Sequence, residues 1–326
     1  MLKDILDTKK CFKLVCGAGN EDLLEVEKLV ALYSKAGCNF FDLSANKSVF
    51  EAARRGLDFS IPKDEQHNFH FCISVGLKGD PHVQKALIDE QKCIFCRKCI
   101  DVCPRGAIFH NGDVCKVSDS RCIGCSKCAK VCPYACISFY SEDKDLTEVL
   151  PTLVEQGIDC IEFHAIGDDE DEVDKKWAEI QDCYDGVLSI CVDRSKLGNE
   201  RLLARIKKMI DTRNPYSTII QADGAPMSGG EDDYKTTLQA VATAAIVQDA
   251  DLPVYILLSG GTNSKSVALA KQCGVNPNGV TIGSYARYIV RDYLQRDDFL
   301  TNKVVFEEAL HLARQLVAVS FESLQK

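Results

Sequence analysis

Outside residues 88–140, short runs of β-branched and aromatic residues alternate along the chain with longer stretches whose apolar positions recur at helical spacing. That alternation is the signature of strand–helix units building a parallel sheet. Eight runs read as strands: residues 12–18, 40–45, 69–77, 160–166, 187–193, 218–223, 254–260 and 280–283. Helical patterns cover 22–35, 146–156, 171–182, 199–212, 233–248, 264–273 and 284–294. Eight units in about 270 residues predict an α/β fold, a (β/α)8 barrel of the TIM type. A doubly wound open sheet is the alternative, because its units look alike locally. An amphipathic stretch at 304–324, with Val305, Leu312, Leu316 and Val319 on its apolar side, predicts a C-terminal helix packed on the barrel or on a second subunit. The expected organisation is a barrel over 1–87 and 141–300, an insert at 88–140 after the third strand, and a C-terminal helix at 301–326.

Period-two alternation sorts the strand residues onto two faces. The face toward the helices is apolar, whereas the inward face turns polar near the strand ends, at Asp42 and Ser44, Ser74 and Gly76, Glu162 and His164, Asp193, Gln221 and Asp223, Ser259, and Thr281. A purely structural barrel would fill these layers with Val, Ile and Leu. Glu162, His164, Asp193 and Asp223 are therefore candidate catalytic residues for proton transfer, or candidates to hold a polar ligand. A plainer reading stands beside each one. A strand-end Asp often only caps the next helix, and a buried His can be satisfied by its neighbours.

The last two strands run into Ser259-Gly260-Gly261-Thr262-Asn263 and Gly283-Ser284-Tyr285-Ala286-Arg287, with helix starts directly behind. Barrels commonly hold phosphate at this place. Ser259, Gly260, Gly261, Thr262, Gly283, Ser284 and Arg287 are thus candidate cofactor-binding residues for flavin mononucleotide (FMN) or a phosphorylated ligand. Such turns also occur simply to let strand meet helix. No GxGxxG follows a strand, so a dinucleotide site of the Rossmann type has no support. The small-residue segment 223–230 reads equally as a lid, a docking surface or a linker, and the acidic runs 168–172 and 231–233 as solvated helix starts.

Composition changes this picture through one residue type. The 326 residues are 46% hydrophobic and 27% charged, enough for a sizeable core, yet 18 of them are cysteine. No apolar run reaches the length of about eighteen residues that a membrane helix needs, and the N-terminus has no signal-peptide or transit character. The expectation is a cytoplasmic protein with no integral membrane segment. In reducing surroundings, clustered cysteines hold metal or do redox chemistry more often than they pair. A net charge of −9 makes nucleic acid an unexpected partner.

Eight of the 18 cysteines fall in two blocks, Cys93-x2-Cys96-x2-Cys99-x3-Cys103-Pro104 and Cys122-x2-Cys125-x2-Cys128-x3-Cys132-Pro133. This is the spacing of a bacterial two-cluster ferredoxin, in which the fourth cysteine of each block serves the other cluster. Cys93, Cys96, Cys99 and Cys132 are expected to hold one [4Fe-4S] cluster, and Cys122, Cys125, Cys128 and Cys103 the second. A pair of zinc ribbons would need only two CxxC pairs per metal and would leave both x3-Cys-Pro endings unexplained. The blocks are an internal repeat offset by 29 residues, and Cys136 falls opposite Ala107, as a packing residue would. Residues 92–136 carry eight Lys/Arg against three Asp, a surplus of +5 that suits anionic clusters. The other cysteines lack cluster spacing and read as small buried residues. A redox-active thiol or a third metal site among Cys16, Cys72 and Cys191 is the minority reading. The insert leaves the predicted barrel just after strand three, in a strand-to-helix loop, which places the clusters on the face where barrel active sites form.

The chain resembles the light-dependent-period (LdpA) family of iron-sulfur proteins. The likeness lies in Phe12-Lys13-Leu14-Val15-Cys16-Gly17-Ala18, the eight-cysteine insert, Asp159-Cys160-Ile161-Glu162-Phe163-His164 and Asp223-Gly224-x-Pro226-Met227-Ser228-Gly229 with Thr236-Thr237 behind it. It continues in Leu258-Ser259-Gly260-Gly261-Thr262-Asn263 and Gly283-Ser284-Tyr285-Ala286-Arg287. The resemblance implies cluster binding and redox sensing, linked in cyanobacteria to how light adjusts the circadian clock, and it supplies no reaction. Two functions are carried forward. One is an electron-transfer or redox-sensing protein whose barrel binds a small-molecule ligand or docks a redox partner such as ferredoxin, flavodoxin or the quinone pool. The other is a reductase delivering electrons to a flavin or small substrate in the barrel. A purely structural cluster protein would leave the polar mouth unexplained.

Overall fold

In a computed structural model, which describes residues 1–77, 80, 83–141, 145–224 and 232–325, the chain opens with α1 (Leu2–Asp7), β1 (Cys11–Val15), α2 (Leu23–Lys35), β2 (Phe40–Ser44), α3 (Lys47–Ser60) and β3 (His70–Val75). A small unit follows: β4 (Gln84–Ile88), α4 (Lys98–Asp101), β5 (Ile108–Asn111), β6 (Val114–Val117), α5 (Lys127–Val131) and β7 (Ile137–Ser141). The chain then resumes with α6 (Leu146–Glu155), β8 (Cys160–His164), α7 (Glu170–Cys183), β9 (Val187–Asp193), α8 (Arg194–Ile210), β10 (Thr218–Asp223) and α9 (Leu238–Asp249). It ends with β11 (Tyr255–Ser259), α10 (Ser266–Gln272), β12 (Gly279–Ile282), α11 (Ser284–Tyr288), α12 (Arg291–Leu294) and α13 (Lys303–Gln325).

Eight parallel strands close in the order β1-β2-β3-β8-β9-β10-β11-β12, with β12 returning to β1 through Cys11↔Gly279 to Leu14↔Ile282. Closure makes this a TIM-type barrel and excludes the open sheet. The small unit lies after the third barrel strand. Helix α3 was not among the expected helices. Its Ala52-Ala53-Arg54-Arg55-Gly56 centre gives little apolar periodicity, yet Asn46 caps it by accepting from Ser48 N, and Val49, Phe50, Ala53 and Leu57 are buried. The stretch 284–294 divides into two short helices at Ile289-Val290, a β-branched pair that a helix tolerates poorly. The helix expected from 233 starts only at Leu238, after a turn in which Thr236 N donates to Asp233 Oδ1.

Alternation along the strands builds two cores. Residues facing the helices, among them Phe12, Leu14, Phe41, Phe71, Ile161, Phe163, Ile190, Ile220 and Leu258, form one continuous apolar layer. Inside, the lower end is closed by Cys11, Phe40, Cys72, Cys160, Val187, Ile219 and Leu257, with Leu2 and Leu6 of α1 set against them. Each fully buried Phe or Leu contributes roughly 1.5–3 kcal/mol of hydrophobic stabilisation. Helix α13 buries Val305, Ala309, Leu310, Ala313, Leu316 and Val317 on the barrel, and Phe321 meets Phe12 edge-on at 6.4 Å between ring centroids. Val319, expected on that apolar side, is exposed; Ser320 takes the inner position and donates to Leu316 O. Among the described residues no helix is long and apolar enough to cross a membrane.

The insert is closed by β4 pairing antiparallel with β7, from Gln84↔Ser141 to Ile88↔Ile137, and carries the β5–β6 hairpin. It docks on the loop after β1 and on the start of α2. Lys85 Nζ, buried, donates to Gly19 O and to Cys122 O; Glu21 N donates to Ser120 O; Arg121 Nε donates to Asp22 Oδ2; and Arg105 forks the Glu25 carboxylate. These contacts hold the insert over the C-terminal ends of the barrel strands.

Candidate functional site

The structure gathers the cysteine blocks into two sets that exchange their fourth members. Cys93, Cys96, Cys99 and Cys132 line one cavity of about 330 Å³, and Cys103, Cys122, Cys125 and Cys128 another of about 340 Å³. The sequence repeat is also conformational. Phe95, Arg97 and Gly106 have φ of 56°, 63° and 56°, and their counterparts 29 residues on, Gly124, Ser126 and Ala135, have 65°, 57° and 48°. A left-handed non-glycine residue costs roughly 1–2 kcal/mol. Four of them at matched positions are the mark of loops wrapped around something, with backbone N–H groups turned inward. Ala107 N donates to Cys103 Sγ and Ala86 N to Cys122 Sγ, both at 3.3 Å, so two sulfurs of the second set receive backbone hydrogen bonds. Burial and neighbouring Cys125 push the Cys128 thiol up to about 11, a cost that metal binding to a thiolate removes. This donor set fits two iron-sulfur clusters. Cys115 and Cys136 line the first cavity too, Cys136 with its sulfur 3.3 Å from Cys132 Sγ.

The barrel mouth holds a buried polar network. Lys13, with no exposed surface, places Nζ 2.6 Å from Glu162 Oε2 and 3.6 Å from Asp42 Oδ1. Ser189 Oγ and Gln221 Nε2 donate to the same Glu162 oxygen, Thr281 Oγ1 donates to Gln221 Oε1, and Ser74 Oγ to Asp42 Oδ1. Burial works against the Lys13 ammonium, but Asp42 and Glu162 outweigh it and keep the lysine charged. Burial likewise opposes the Glu162 carboxylate, and Lys13 with His164 overcomes it, holding that group well below the usual carboxylate range. His164 Nδ1 lies 2.6 Å from Asp80 Oδ2, and its Nε2 lies 3.5 Å from Glu162 Oε1. Burial disfavours the imidazolium, yet Asp80 and then Glu162 raise its pKa well above the ordinary value. Gly76 makes the Asp80 contact possible, because a Cβ there would overlap the Asp80 carboxylate.

A cavity of about 740 Å³ opens above this network. Its wall includes Glu162, His164 and Asp223, and all seven residues of the expected phosphate loops. Asp193 is buried in register with Asp223 but does not line it. The loops are partly spoken for within the protein. Thr262 Oγ1 donates to Thr281 O, Asn263 N to Ser266 Oγ, and Lys265 N to Asn263 Oδ1, while Arg287 Nη1 donates to Val15 O. Gly260 has φ +65°, and a Cβ there would overlap Asp223. Ile123 of the insert lines this cavity as well. A second cavity, of about 1320 Å³, lies between insert and barrel against Cys125 and is rimmed by Arg105, Arg121, Lys127, Arg287 and Arg291. Segment 225–231, most of the small-residue loop, lies outside the described residues.

Three participants escaped the sequence reading. Lys13 had a signal, since it is a lysine at inward parity in an otherwise apolar strand. Asp80 comes from a loop, and Ile123 from the insert, and neither position is marked by spacing.

Fold and site together define an iron-sulfur protein, a ferredoxin-like dicluster unit set over the mouth of a TIM-type barrel. The family profile described as 4Fe-4S dicluster domain matches residues 86–139, and the one described as Light dependent period A C-terminal domain matches 152–321. The chain is 30% identical to Light dependent period A of Synechococcus elongatus over 87% of this chain and 82% of that protein. It belongs to the light dependent period A family. Its cluster region is 34% identical to a component of an ion-translocating oxidoreductase complex of Pasteurella multocida, over 26% of this chain and 46% of that one. Among solved structures, M. tuberculosis tryptophan synthase superposes with a TM-score of 0.48 and 11% identity, covering 98% of this chain and 96% of that one. A truncated Thermotoga maritima 3-deoxy-D-arabino-heptulosonate 7-phosphate synthase gives 0.47 and 11%, covering 94% and 84%.

Proposed function

We propose that this chain is an electron-transfer and redox-sensing protein. In this reading Cys93, Cys96, Cys99 and Cys132 hold one [4Fe-4S] cluster, and Cys103, Cys122, Cys125 and Cys128 the other. The clusters supply one-electron transfer when bound. The observation that carries the reading is Ile123. It stands between two cysteines of the second set and lines the same cavity as Glu162, His164 and Asp223. The first set includes Cys96, which is exposed and suits contact with a redox partner such as a ferredoxin or flavodoxin. The oxidoreductase-complex relative points the same way.

The residues of the mouth have separate tasks in this reading. Lys13 fixes the Glu162 carboxylate from below, and Asp80 fixes His164 from the side. The imidazole between Asp80 and Glu162 can hold or release a proton at Nε2, offsetting charge that arrives nearby. Asp223 faces the ligand space, and Asp193 stands at the rim. A second reading, a reductase acting on flavin or a phosphorylated substrate, draws on the seven loop residues around the same cavity.

Anaerobic reconstitution with iron and sulfide analysis tests the cluster reading. About eight irons per chain are expected, about four in Cys132→Ala, and about eight in Cys136→Ala. Four or fewer in the fully reconstituted parent protein refute it. A stoichiometric flavin spectrum would replace the sensor with the reductase. Mouth segments whose hydrogen exchange changes between oxidised and reduced protein, with no flavin present, support the sensor.

A further inference from the structure

The upper layer of the barrel mouth contains a donor set that neither the clusters nor the family assignment uses. Glu162 Oε1, His164 Nε2 and Cys191 Sγ all lie within 4.8 Å of one another, and all three residues are buried. All three line the mouth cavity. They come from adjacent strands: His164 of β8 is in register with Cys191 of β9, and Glu162 sits two residues before His164 on the same face.

Two distances separate an ion-binding arrangement from an ordinary ion pair. A charge-assisted hydrogen bond between imidazolium and carboxylate spans about 2.7–2.9 Å. His164 Nε2 and Glu162 Oε1 are 3.5 Å apart, too long for that bond. Two ligands on one tetrahedral ion at about 2.0–2.1 Å each are separated by about 3.3 Å, close to what is seen. The second is the 2.6 Å contact of His164 Nδ1 with Asp80 Oδ2. A carboxylate on the far nitrogen fixes the tautomer that presents Nε2 as the metal-binding atom, and is the habitual partner of a metal-bound histidine.

A deeper trio, Asp42, Cys72 and Glu162, has similar spacing. There the Lys13 ammonium already lies 2.6 Å from Glu162 and 3.6 Å from Asp42, so a cation is built into that level. Lys13 takes Glu162 Oε2, while the upper trio uses Oε1. One carboxylate thus joins a permanent cation below to a cation site above.

We propose that Glu162, His164 and Cys191 bind one divalent transition ion of the zinc or ferrous type, with its remaining position open to the mouth cavity. The mixed nitrogen, oxygen and sulfur donors suit a borderline ion and are unsuited to magnesium or calcium. Binding displaces the protons of the thiol and of Nε2. Asp223 lines the same cavity and stands ready for a polar group bound at the open position. This ion goes beyond the cluster reading, and because zinc and iron are counted separately, each claim can fail without the other.

The test uses the full-length, cluster-loaded protein, exposed anaerobically to Zn²⁺ and then dialysed. About one zinc per chain is expected beside the eight irons. His164→Ala and Cys191→Ser should lose the zinc while keeping the iron, and Asp80→Asn should bind it about 10–100-fold more weakly. Should those variants fold poorly, Co²⁺ added to the parent protein with oxidised clusters reads the donor set directly, through a thiolate-bound tetrahedral spectrum. Retention of no zinc, equal retention in Cys191→Ser, or an octahedral all-oxygen cobalt spectrum overturns the proposal.

Discussion

Lys13 is fully enclosed within the barrel, 149 residues along the chain from the carboxylate it meets at 2.6 Å. Two buried carboxylates, Glu162 and Asp42, depend on its charge. Removing one partner of such a pair leaves uncompensated charge in a low dielectric and costs about 3–5 kcal/mol. Lys13→Met should lower stability to chemical denaturation by that amount while leaving the iron content unchanged; a loss below about 1 kcal/mol would show that the network relaxes onto other groups. At this scale the inward polar set was legible from parity alone, and Glu162, His164, Gln221, Asp223, Ser259 and Thr281 all reached the interior or its mouth. The partners that give them direction, Lys13 and Asp80, were not, because parity says where a side chain points and nothing about what meets it there.

Among the elements, the loop after β8 is secured by one arginine of α8. Arg205 Nη1 donates to Ala165 O at 2.7 Å and Gly167 O at 2.8 Å, and the guanidinium grips Glu170 at the start of α7. The Arg205 hydrogen bond lowers the Glu170 pKa, with burial opposing it and Arg201 adding to it. Arg205→Met should destabilise the protein by about 1.5–3 kcal/mol at neutral pH. A lowered carboxylate pKa gives stability that is complete above the ordinary value of about 4.3 and fades as pH falls through the folded value. The difference between parent and variant should therefore be constant above about pH 5 and narrow below about pH 4, as read by denaturation midpoints. Strands were legible because each is a short apolar run between loops. Helix α3 escaped because alanine, arginine and glycine carry its centre and tertiary packing supplies what periodicity does not. The division of 284–294 escaped because a break at Ile289-Val290 changes backbone angles without interrupting the apolar pattern.

For the whole molecule the decisive contact is insert on barrel. Arg105 and Glu25 are 80 residues apart and form a forked pair with 9% and 18% side-chain exposure. A double-mutant cycle with Arg105→Ala and Glu25→Ala should give a coupling of about 1–3 kcal/mol. Iron content should be retained, and hydrogen exchange should rise in both the insert and the loop 16–22. Coupling near zero, with unchanged exchange, would mean that Lys85 and Arg121 dock the insert unaided.

The sequence by itself determined the cluster module and the barrel. Cluster ligands lie within a few residues of one another and strand–helix units are local, so both are written in short-range spacing; placement of the insert after strand three follows from order along the chain. Only the tertiary structure decided that Ile123 faces the mouth, that Lys13 and Asp80 orient Glu162 and His164, and that Cys191 joins them. Those meetings depend on closing the sheet, which brings residues far apart in the chain to adjacent strands, and on long-range ion pairs that seat the insert. Neither leaves a periodic trace in the sequence, because the free energy that selects them comes from burial and charge pairing across the assembled fold.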